Sequence, residues 1–257
     1  MTKIDIQGVV KNLINTFIEA GKISIELRNI GLTKKIKLDN TPVSNGDLEV
    51  NKIITKKIKE LTPDIPIISE ETSDNKSNFE LNDFWLVDPI DGTYDYINNL
   101  DEFTINAGLI INKKPIAGLI YAPAKNRMFY SYGKNLAFEL KNGEEKKLGS
   151  SKNFNKNFIK FVHYSDKIKP EILEVHKRFN VKQFVRMKSS LKFCVIAAGE
   201  FDGYVAEPRA CEWDIAAGHA ILNHAGGEVT DFDNNEILYG KKDFKNPSLI
   251  LKSKNIL

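Results

Sequence analysis

This chain is organised around the segment Phe84-Trp85-Leu86-Val87-Asp88-Pro89-Ile90-Asp91-Gly92-Thr93. Its first four residues form a continuous apolar run that is typical of a buried strand, and two carboxylates three residues apart follow at once. Pro89 stiffens the turn and Gly92 allows the chain to leave it, so the strand ends where a sheet commonly presents its ligand site. A carboxylate pair at such a strand end can hold a hard cation.

Further acidic groups occur at comparable places in the sequence. Glu70 and Glu71 follow an apolar run, and Asp214 opens a segment with helical periodicity far downstream. Mg²⁺ takes oxygen ligands in octahedral geometry and keeps several waters. The sequence therefore predicts a magnesium site made by acidic residues at the ends of separate elements.

Composition sets mild bounds on the class of protein. The chain has 257 residues, 42% hydrophobic and 28% charged, which fits one large domain or two fused halves. A net charge of +3 is too small to indicate binding to nucleic acid or to a membrane. The N-terminus does not resemble a signal peptide, and only two cysteines occur. We expect a cytoplasmic protein without a nucleic-acid partner, and leave peripheral association with a membrane open.

The periodicity of the first half changes near residue 103. Two amphipathic helices are predicted before that point, the first beginning near Ile6 and the second after Ser44. Ser44 and Asp47 have capping-box spacing, which explains Asp47 without any catalytic role. Short apolar runs then predict an antiparallel meander of four strands over residues 104–111, 115–121, 128–132 and 136–140.

The polar segment 141–157 separates this meander from a second series of alternating elements. Strands are predicted near residues 158–162, 204, 228–232 and 249–251, and helices over 170–179, 190–199 and 214–225. The pattern predicts an α/β protein with two fused subdomains. Residues 1–148 would carry most of the acidic motifs, and residues 149–257 would carry the substrate-binding elements and Asp214.

Each acidic motif also has an ordinary structural explanation. Carboxylates at strand ends can cap helices, and an isolated Asp-x-x-Asp has little specificity. The chain, however, combines a Glu-Glu pair, an Asp-Pro-x-Asp-Gly-Thr turn and a Trp-Asp-x-Ala-Ala-Gly segment. Capping needs alone do not require that combination.

The set of motifs resembles the inositol monophosphatase superfamily, the lithium-sensitive, Mg²⁺-dependent phosphatases that include fructose-1,6-bisphosphatase and the bisphosphate nucleotidases. The matching stretches are residues 39–47, 68–71, 85–93, 213–218 and 225–227. Their order and spacing agree across nearly the whole chain. The resemblance implies a layered αβαβα sandwich of the sugar-phosphatase type, Mg²⁺ as cofactor and inhibition by Li⁺.

The resemblance also implies roles for single residues. Glu70, Asp88 and the backbone carbonyl of Ile90 would hold one Mg²⁺. Asp88, Asp91 and Asp214 would hold the second, so that Asp88 bridges the two ions. Two or three ions are implied in all.

The same resemblance implies how water and substrate are held. Glu70 and Thr93 would position the nucleophilic water, and Asp47 would orient the Thr93 hydroxyl. Backbone amides after the turn would add hydrogen bonds to the phosphate. The resemblance further implies that four residues contact the reacting part of the substrate. They are Asp91, Gly92, Thr93 and Asp214.

Two stretches resemble one branch of the superfamily, the bacterial 3'(2'),5'-bisphosphate nucleotidases of the CysQ type. They are residues 102–106 and 189–194. These enzymes convert adenosine 3',5'-bisphosphate to AMP and phosphate. Ser189 and Lys192 would then bind the second, non-reacting phosphate. The structural alternative is a helix N-cap beside a solvated lysine.

Other positions keep a different substrate open. Glu207 lies where inositol monophosphatases place a sugar-binding glutamate, and Arg209 and residues 163–166 depart from the nucleotidase pattern. We expect hydrolysis of the 3'-phosphate of adenosine 3',5'-bisphosphate, linked to sulfur metabolism by resemblance. The alternative is an inositol-phosphate or sugar-phosphate monoesterase, and a remote one is a non-catalytic regulator that binds polyanions. A homodimer is a further expectation, since the superfamily often dimerises.

Overall fold

The computed structural model describes residues 4–37, 41–72, 81–149, 154–165 and 167–256. Residues 39, 40 and 166, which belong to the motifs above, lie outside these ranges. The α-helices are α1 (Ile6–Ile30), α2 (Asn45–Leu61), α3 (Thr93–Ile97), α4 (Pro170–Arg178), α5 (Leu191–Ala197) and α6 (Glu212–His224). None of the helices in the described part of the chain is both long enough and apolar enough to span a bilayer.

The strands form a small ribbon and two larger sheets. Strands β1 (Lys34–Ile36) and β2 (Pro42–Ser44) make the ribbon. The seven-stranded sheet has the sequential order β3 (Ile67–Ser69), β4 (Phe84–Asp91), β5 (Thr104–Ile111), β6 (Lys114–Ala122), β7 (Arg127–Ser131), β8 (Ala137–Lys141) and β9 (Glu144–Lys147). The strands of the five-stranded sheet are β10 (Ile159–His163), β11 (Val181–Arg186), β12 (Gly203–Ala206), β13 (Glu228–Thr230) and β14 (Leu249–Lys252), in the order β11-β10-β12-β14-β13.

Strand β4 separates two hydrophobic cores because successive side chains of a strand point to opposite faces. Trp85 and Val87 are buried with α1 and α2 on one face. Phe84 and Leu86 are buried on the other face, in a core that also holds α5, α6 and residues of the five-stranded sheet. Every side chain of the apolar run is thus buried, which explains why the run does not alternate with polar residues.

The five-stranded sheet is covered on both faces in the same way. Val162 and Tyr204 face the core that contains α5 and α6, whereas Phe161 and Val205 face the core that contains α4. The layers therefore run α1 and α2, seven-stranded sheet, α5 and α6, five-stranded sheet, α4. This order confirms the predicted layered αβαβα sandwich.

Most of the predicted elements are present within one to three residues of their expected bounds. The long first helix, the capped second helix and the four-stranded meander are all confirmed. Strands β1, β2, β9 and β11 were missed, and β9 lies inside the polar segment that was predicted to separate the two halves of the chain. The division into subdomains at residue 148 stays a prediction.

Candidate active site

Parallel pairing of β3 and β4 brings the first two acidic residues together. Ser69 pairs with Val87 in the register of these strands, and the Glu70 N–H donates to the Val87 carbonyl oxygen at 3.0 Å. The next residue of each strand is therefore acidic at the same end of the sheet, Glu70 on one and Asp88 on the other. Both were predicted from sequence as metal ligands.

The turn after β4 brings in Asp91. Pairing of β4 with β5 shifts in register between Asp88 and Asp91, so the strand is irregular where its two carboxylates lie. Gly92 follows with φ of 95°, a left-handed conformation, and a Cβ at this position would lie 2.7 Å from the Glu102 carbonyl oxygen. Glycine is therefore required at this turn on both conformational and steric grounds.

Helix α6 brings the distant Asp214 to the same end of the sheet. The helix packs tightly on the seven-stranded sheet, since a Cβ on Gly118 would lie 2.2 Å from the Ala217 carbonyl oxygen. Asp214 lies in the first turn and accepts the Cys211 N–H at 2.7 Å, a capping interaction. Capping and proximity to the other carboxylates are both observed for this residue.

The four carboxylates form a dense cluster of negative charge. Asp88 is 1% exposed, and burial followed by repulsion from Glu70, Asp91 and Asp214 raises its pKa well above the usual range. Burial and the charges of Asp91 and Glu70 likewise raise the pKa of Asp214. Within the described residues, Oδ1 of Asp88 is buried without a hydrogen-bond partner. Such a cluster requires compensation by protons or by a cation.

Local donors satisfy part of the cluster. The Lys37 ammonium lies 3.1 Å from Oε1 of Glu70 and 2.7 Å from Oε1 of Glu71, and burial raises the pKa of Glu71 to about 7. The Ser190 hydroxyl donates to Oδ2 of Asp91 at 2.6 Å, and the Ser190 N–H donates to the same oxygen. The carboxylates are thus oriented by protein donors from separate parts of the chain.

The chemistry of the cluster fits a hard metal ion. Among the described residues, no three acidic, histidine or cysteine side chains are already arranged as an ion cage. The available ligands are nevertheless all oxygens, one of them the unpartnered Oδ1 of Asp88. Oxygen ligands with several negative charges suit a divalent cation such as Mg²⁺, and the ammonium of Lys37 lies where positive charge is needed.

Thr93 and Asp47 lie next to the cluster. The Thr93 hydroxyl is 3.2 Å from Oδ1 of Asp47 and 3.0 Å from the Ile90 carbonyl oxygen. The other oxygen of Asp47 accepts the Ser44 N–H at 2.8 Å in the capping box of α2. Asp47 therefore combines the capping contact with a contact to Thr93, and burial raises its pKa.

A cavity of about 90 Å³ opens beside the carboxylates. Asp91 and Asp214 line it on one side, and Ser189 and Lys192 line it as well. Lys192 is 7% exposed, its ammonium donates to the Ser189 carbonyl oxygen, and burial lowers its pKa to about 8. The lysine is therefore not the solvated side chain of the structural alternative. Ser189 has φ of 54°, an uncommon conformation for serine.

Glu207 has a different environment. Its carboxylate pairs with Lys169 at 3.2 Å on a partly exposed surface. Glu207 is not one of the described residues that line the cavity. A role of Glu207 in binding a sugar stays a prediction.

Sequence reasoning missed several side chains of the site. The Ser190 hydroxyl donates to Asp91, and the Asn106 amide donates to the Ser190 hydroxyl at 3.1 Å. The sequence indicated no role for Lys37 in the site, although its ammonium contacts Glu70. The adjacent serines Ser189 and Ser190 were the one local sequence signal for the contact with Asp91.

Comparison with known proteins gives the same family for the whole chain. The inositol monophosphatase family model matches residues 5–256. The 3'(2'),5'-bisphosphate nucleotidase CysQ of Buchnera aphidicola is 38% identical over 207 residues, covering 79% of this chain and 76% of the relative. CysQ of Escherichia coli K12 is 34% identical over 216 residues, covering 82% of this chain and 85% of the relative.

Solved structures are similar over nearly the full length. CysQ from Bacteroides thetaiotaomicron has a TM-score of 0.77 and 27% identity, covering 96% of this chain and 98% of the other. An IMPase/NADP phosphatase solved with Mg²⁺ and phosphate has a TM-score of 0.79 at 17% identity, covering 97% and 92%, and shares the fold. The fold, the order of the motifs and the family match lead to one conclusion: this chain belongs to the inositol monophosphatase family.

Proposed function

We propose that this protein is a Mg²⁺-dependent phosphomonoesterase that hydrolyses the 3'-phosphate of adenosine 3',5'-bisphosphate to give AMP and phosphate. The proposal rests on the cluster of Glu70, Asp88, Asp91 and Asp214 beside a cavity that contains the buried ammonium of Lys192. An acidic cluster suits metal ions, and a buried cation suits an additional anionic group on the substrate. The similarity to CysQ nucleotidases from two bacteria supports the same reaction.

The residues that would hold Mg²⁺ are Glu70, Asp88, Asp91, Asp214 and the carbonyl of Ile90. When bound, Mg²⁺ neutralises phosphate charge and lowers the pKa of a coordinated water, which supplies a nucleophile at neutral pH. The IMPase/NADP phosphatase that shares this fold was solved in complex with Mg²⁺ and phosphate, which supports this choice of cation.

Thr93 and Asp47 would act on the attacking water. With Asp47 ionised, the Thr93 hydroxyl donates to its carboxylate across 3.2 Å, which leaves the lone pairs of the hydroxyl oxygen free to accept from a water. Asp47 is itself fixed by the capping contacts from Ser44, so the hydroxyl has a rigid support. This arrangement would orient the water through a hydroxyl and a carboxylate, without a histidine base.

Two features favour a bisphosphate over an inositol phosphate. Lys192 and Ser189 line the cavity next to Asp91, whereas a monophosphorylated inositol has no second anion to place there. Glu207, the residue expected to bind a sugar, is paired with Lys169 instead. Homodimer formation and a cytoplasmic location stay predictions.

The test is phosphate release by the purified protein with Mg²⁺ from three substrates in parallel. They are adenosine 3',5'-bisphosphate, inositol 1-phosphate and fructose 1,6-bisphosphate. We expect the highest kcat/KM for the nucleotide. A preference for inositol 1-phosphate would overturn the choice of substrate, and no release from any of the three with Mg²⁺ present would overturn the enzymatic proposal.

The variant Asp91→Asn tests whether the acidic cluster is required for turnover. The change keeps the size of the side chain and removes one charge, so the fold is retained while the site loses a ligand. We expect a loss of turnover greater than about 100-fold, since even outer partners of metal ligands cost roughly 10- to 100-fold. The matched variant Asp101→Asn, on an exposed loop, should keep full activity.

A further inference from the structure

The loop between β11 and α5, residues 187–190, contains a serine in a left-handed conformation. Ser189 has φ of 54°. This conformation costs free energy in a residue other than glycine, and it persists only where the surrounding contacts fix the backbone. Its two neighbours, Lys188 and Ser190, supply those contacts, and both bind groups that belong to the seven-stranded sheet or to the turn and helix that follow β4.

Ser190 fixes one side of the loop to the acidic cluster. Its hydroxyl and its N–H both donate to Oδ2 of Asp91, and the hydroxyl also contacts the Asp214 carbonyl oxygen. Asn106, on β5, donates to the hydroxyl at 3.1 Å. Because both hydrogen bonds to Asp91 use the same oxygen, together they fix the direction of the carboxylate. The orientation of this predicted metal ligand therefore depends on the position of the loop.

Lys188 fixes the other side of the loop to α3. Its ammonium lies 2.7 Å from Oδ1 of Asp95, a carboxylate 93 positions away in the sequence. The side chain of Asp95 is 2% exposed and that of Lys188 is 18% exposed, so the pair is largely shielded from solvent. The Lys188 ammonium is also 5.4 Å from the centre of the Tyr94 ring, and its N–H donates to Oε2 of Glu102 at 3.0 Å. Side chain and backbone of the lysine are thus both held against the segment that follows β4.

The ion pair joins two short segments that each carry a residue of the site. Asp95 is two residues after Thr93, and Lys188 is two residues before Ser190. Desolvation of both charges offsets much of their attraction, so a pair of this kind contributes little net stability. It does supply a fixed distance between α3 and the loop.

We propose that Lys188 is a positioning residue for Asp91. Its ion pair with Asp95 holds the loop in place, and the loop holds Ser190 against the Asp91 carboxylate. This inference rests on the proposed function, in which Asp91 binds a metal ion. Lys188 is not one of the described residues that line the cavity, and it acts through the backbone of the loop. Without the pair, Ser189 can relax from its left-handed conformation and carry Ser190 away from Asp91.

The test is calorimetric titration with Mg²⁺, in the absence of substrate, of the wild type and of the variants Lys188→Met and Asp95→Asn. The two substitutions remove charges of opposite sign from one contact. If the pair positions Asp91, both variants should bind Mg²⁺ about tenfold more weakly, the lower end of the range for outer partners of metal ligands. A purely electrostatic effect predicts opposite shifts, tighter binding in Lys188→Met and weaker binding in Asp95→Asn. Opposite shifts, or wild-type affinity in both variants, would overturn the inference.

Three further variants separate positioning from folding. Lys182→Met removes the same charge from an exposed position on β11 and should bind Mg²⁺ as the wild type does. Lys188→Arg keeps the charge and the N–H donors and should retain most of the affinity. The double variant Lys188→Met/Asp95→Asn removes the unpaired carboxylate, so its Tm should recover relative to Lys188→Met, while its Mg²⁺ affinity should stay about tenfold below wild type. Recovery of the affinity together with Tm would show that the pair serves only folding and would overturn the inference.

Phosphate release from adenosine 3',5'-bisphosphate separates this inference from the proposed function. Hydrolysis by the wild type, with unchanged Mg²⁺ affinity in both single variants, would overturn the inference and leave the proposed function standing. Mg²⁺ binding by the wild type without hydrolysis would overturn the proposed function. In that case a tenfold loss of Mg²⁺ affinity in both single variants would still support the positioning role of Lys188.

Discussion

His176 should make the stability of this protein dependent on pH between 6.5 and 4. The imidazole is 6% exposed on α4, where it lies edge-on to Phe161 with ring centres 5.3 Å apart. Its Nε2 is buried without a hydrogen-bond partner among the described residues. Burial, followed by the charge of His163, lowers the pKa of His176 from 6.5 to about 4.

The sign and size of the effect follow from these two values. In the unfolded chain the imidazole takes up a proton below pH 6.5, but in the folded protein it stays neutral until about pH 4. The stabilisation is therefore complete above pH 6.5 and is lost as the pH falls toward 4. At pH 5 the loss amounts to about 2 kcal/mol, and its limit at lower pH is roughly 3 kcal/mol. For a domain of this size, 2 kcal/mol corresponds to about 4–8 °C in Tm.

The assay is thermal unfolding of the wild-type protein and of His176→Leu at pH 7.5 and pH 5. Other titrating groups are common to both proteins, so the fall in Tm between the two pH values should be about 4–8 °C smaller in the variant. Lys177→Ala, on the exposed side of the same helix, should match the wild type. An equal fall in Tm in wild type and His176→Leu would refute the reasoning.

Three further predictions concern the site. Gly92→Ala should destabilise the protein by about 1–3 kcal/mol, because the left-handed turn excludes a Cβ; a Tm within about 1 °C of wild type would contradict this. Thr93→Val should lower kcat by on the order of 100-fold with Mg²⁺ affinity kept, and Thr93→Ser should restore most of it; full activity in the valine variant would exclude a role for the hydroxyl. Lys37→Met should tighten Mg²⁺ binding in calorimetry by about fivefold, because it removes roughly 1 kcal/mol of competing attraction to Glu70; weaker binding would show that the ammonium does not compete.

Features with short sequence separation could be predicted from the sequence. Two examples are the turn after β4 and the capping box of Ser44 and Asp47. Each depends on residues within a few positions of each other, so its whole pattern lies in one short stretch of sequence. Long elements with a clear period, such as α1 and the meander, were predictable for the same reason. The convergence of the acidic motifs was predicted from their positions at the ends of separate elements, whereas the roles of single residues were implied only by the resemblance to a family.

Contacts between distant segments could not be predicted in this way. Ser190 contacts Asp91 across 99 positions, and Arg209, which follows β12, stacks on Tyr164, which follows β10. Such contacts depend on how loops from two sheets pack together. A local sequence pattern does not predict that packing. Strand β11 was missed for another reason: it is an exposed edge strand, so its residues lack the alternation of buried and polar positions that identifies a half-buried strand.

The central claim is that Glu70, Asp88, Asp91 and Asp214 bind divalent cations. The most direct measurement is a crystal structure of the protein grown with Mn²⁺, which accepts the same oxygen ligands as Mg²⁺ and is identified by anomalous scattering. We predict an anomalous peak in contact with Asp88 and at least two of the other carboxylates. A map with no anomalous peak at these carboxylates, from crystals in millimolar Mn²⁺, would contradict the account.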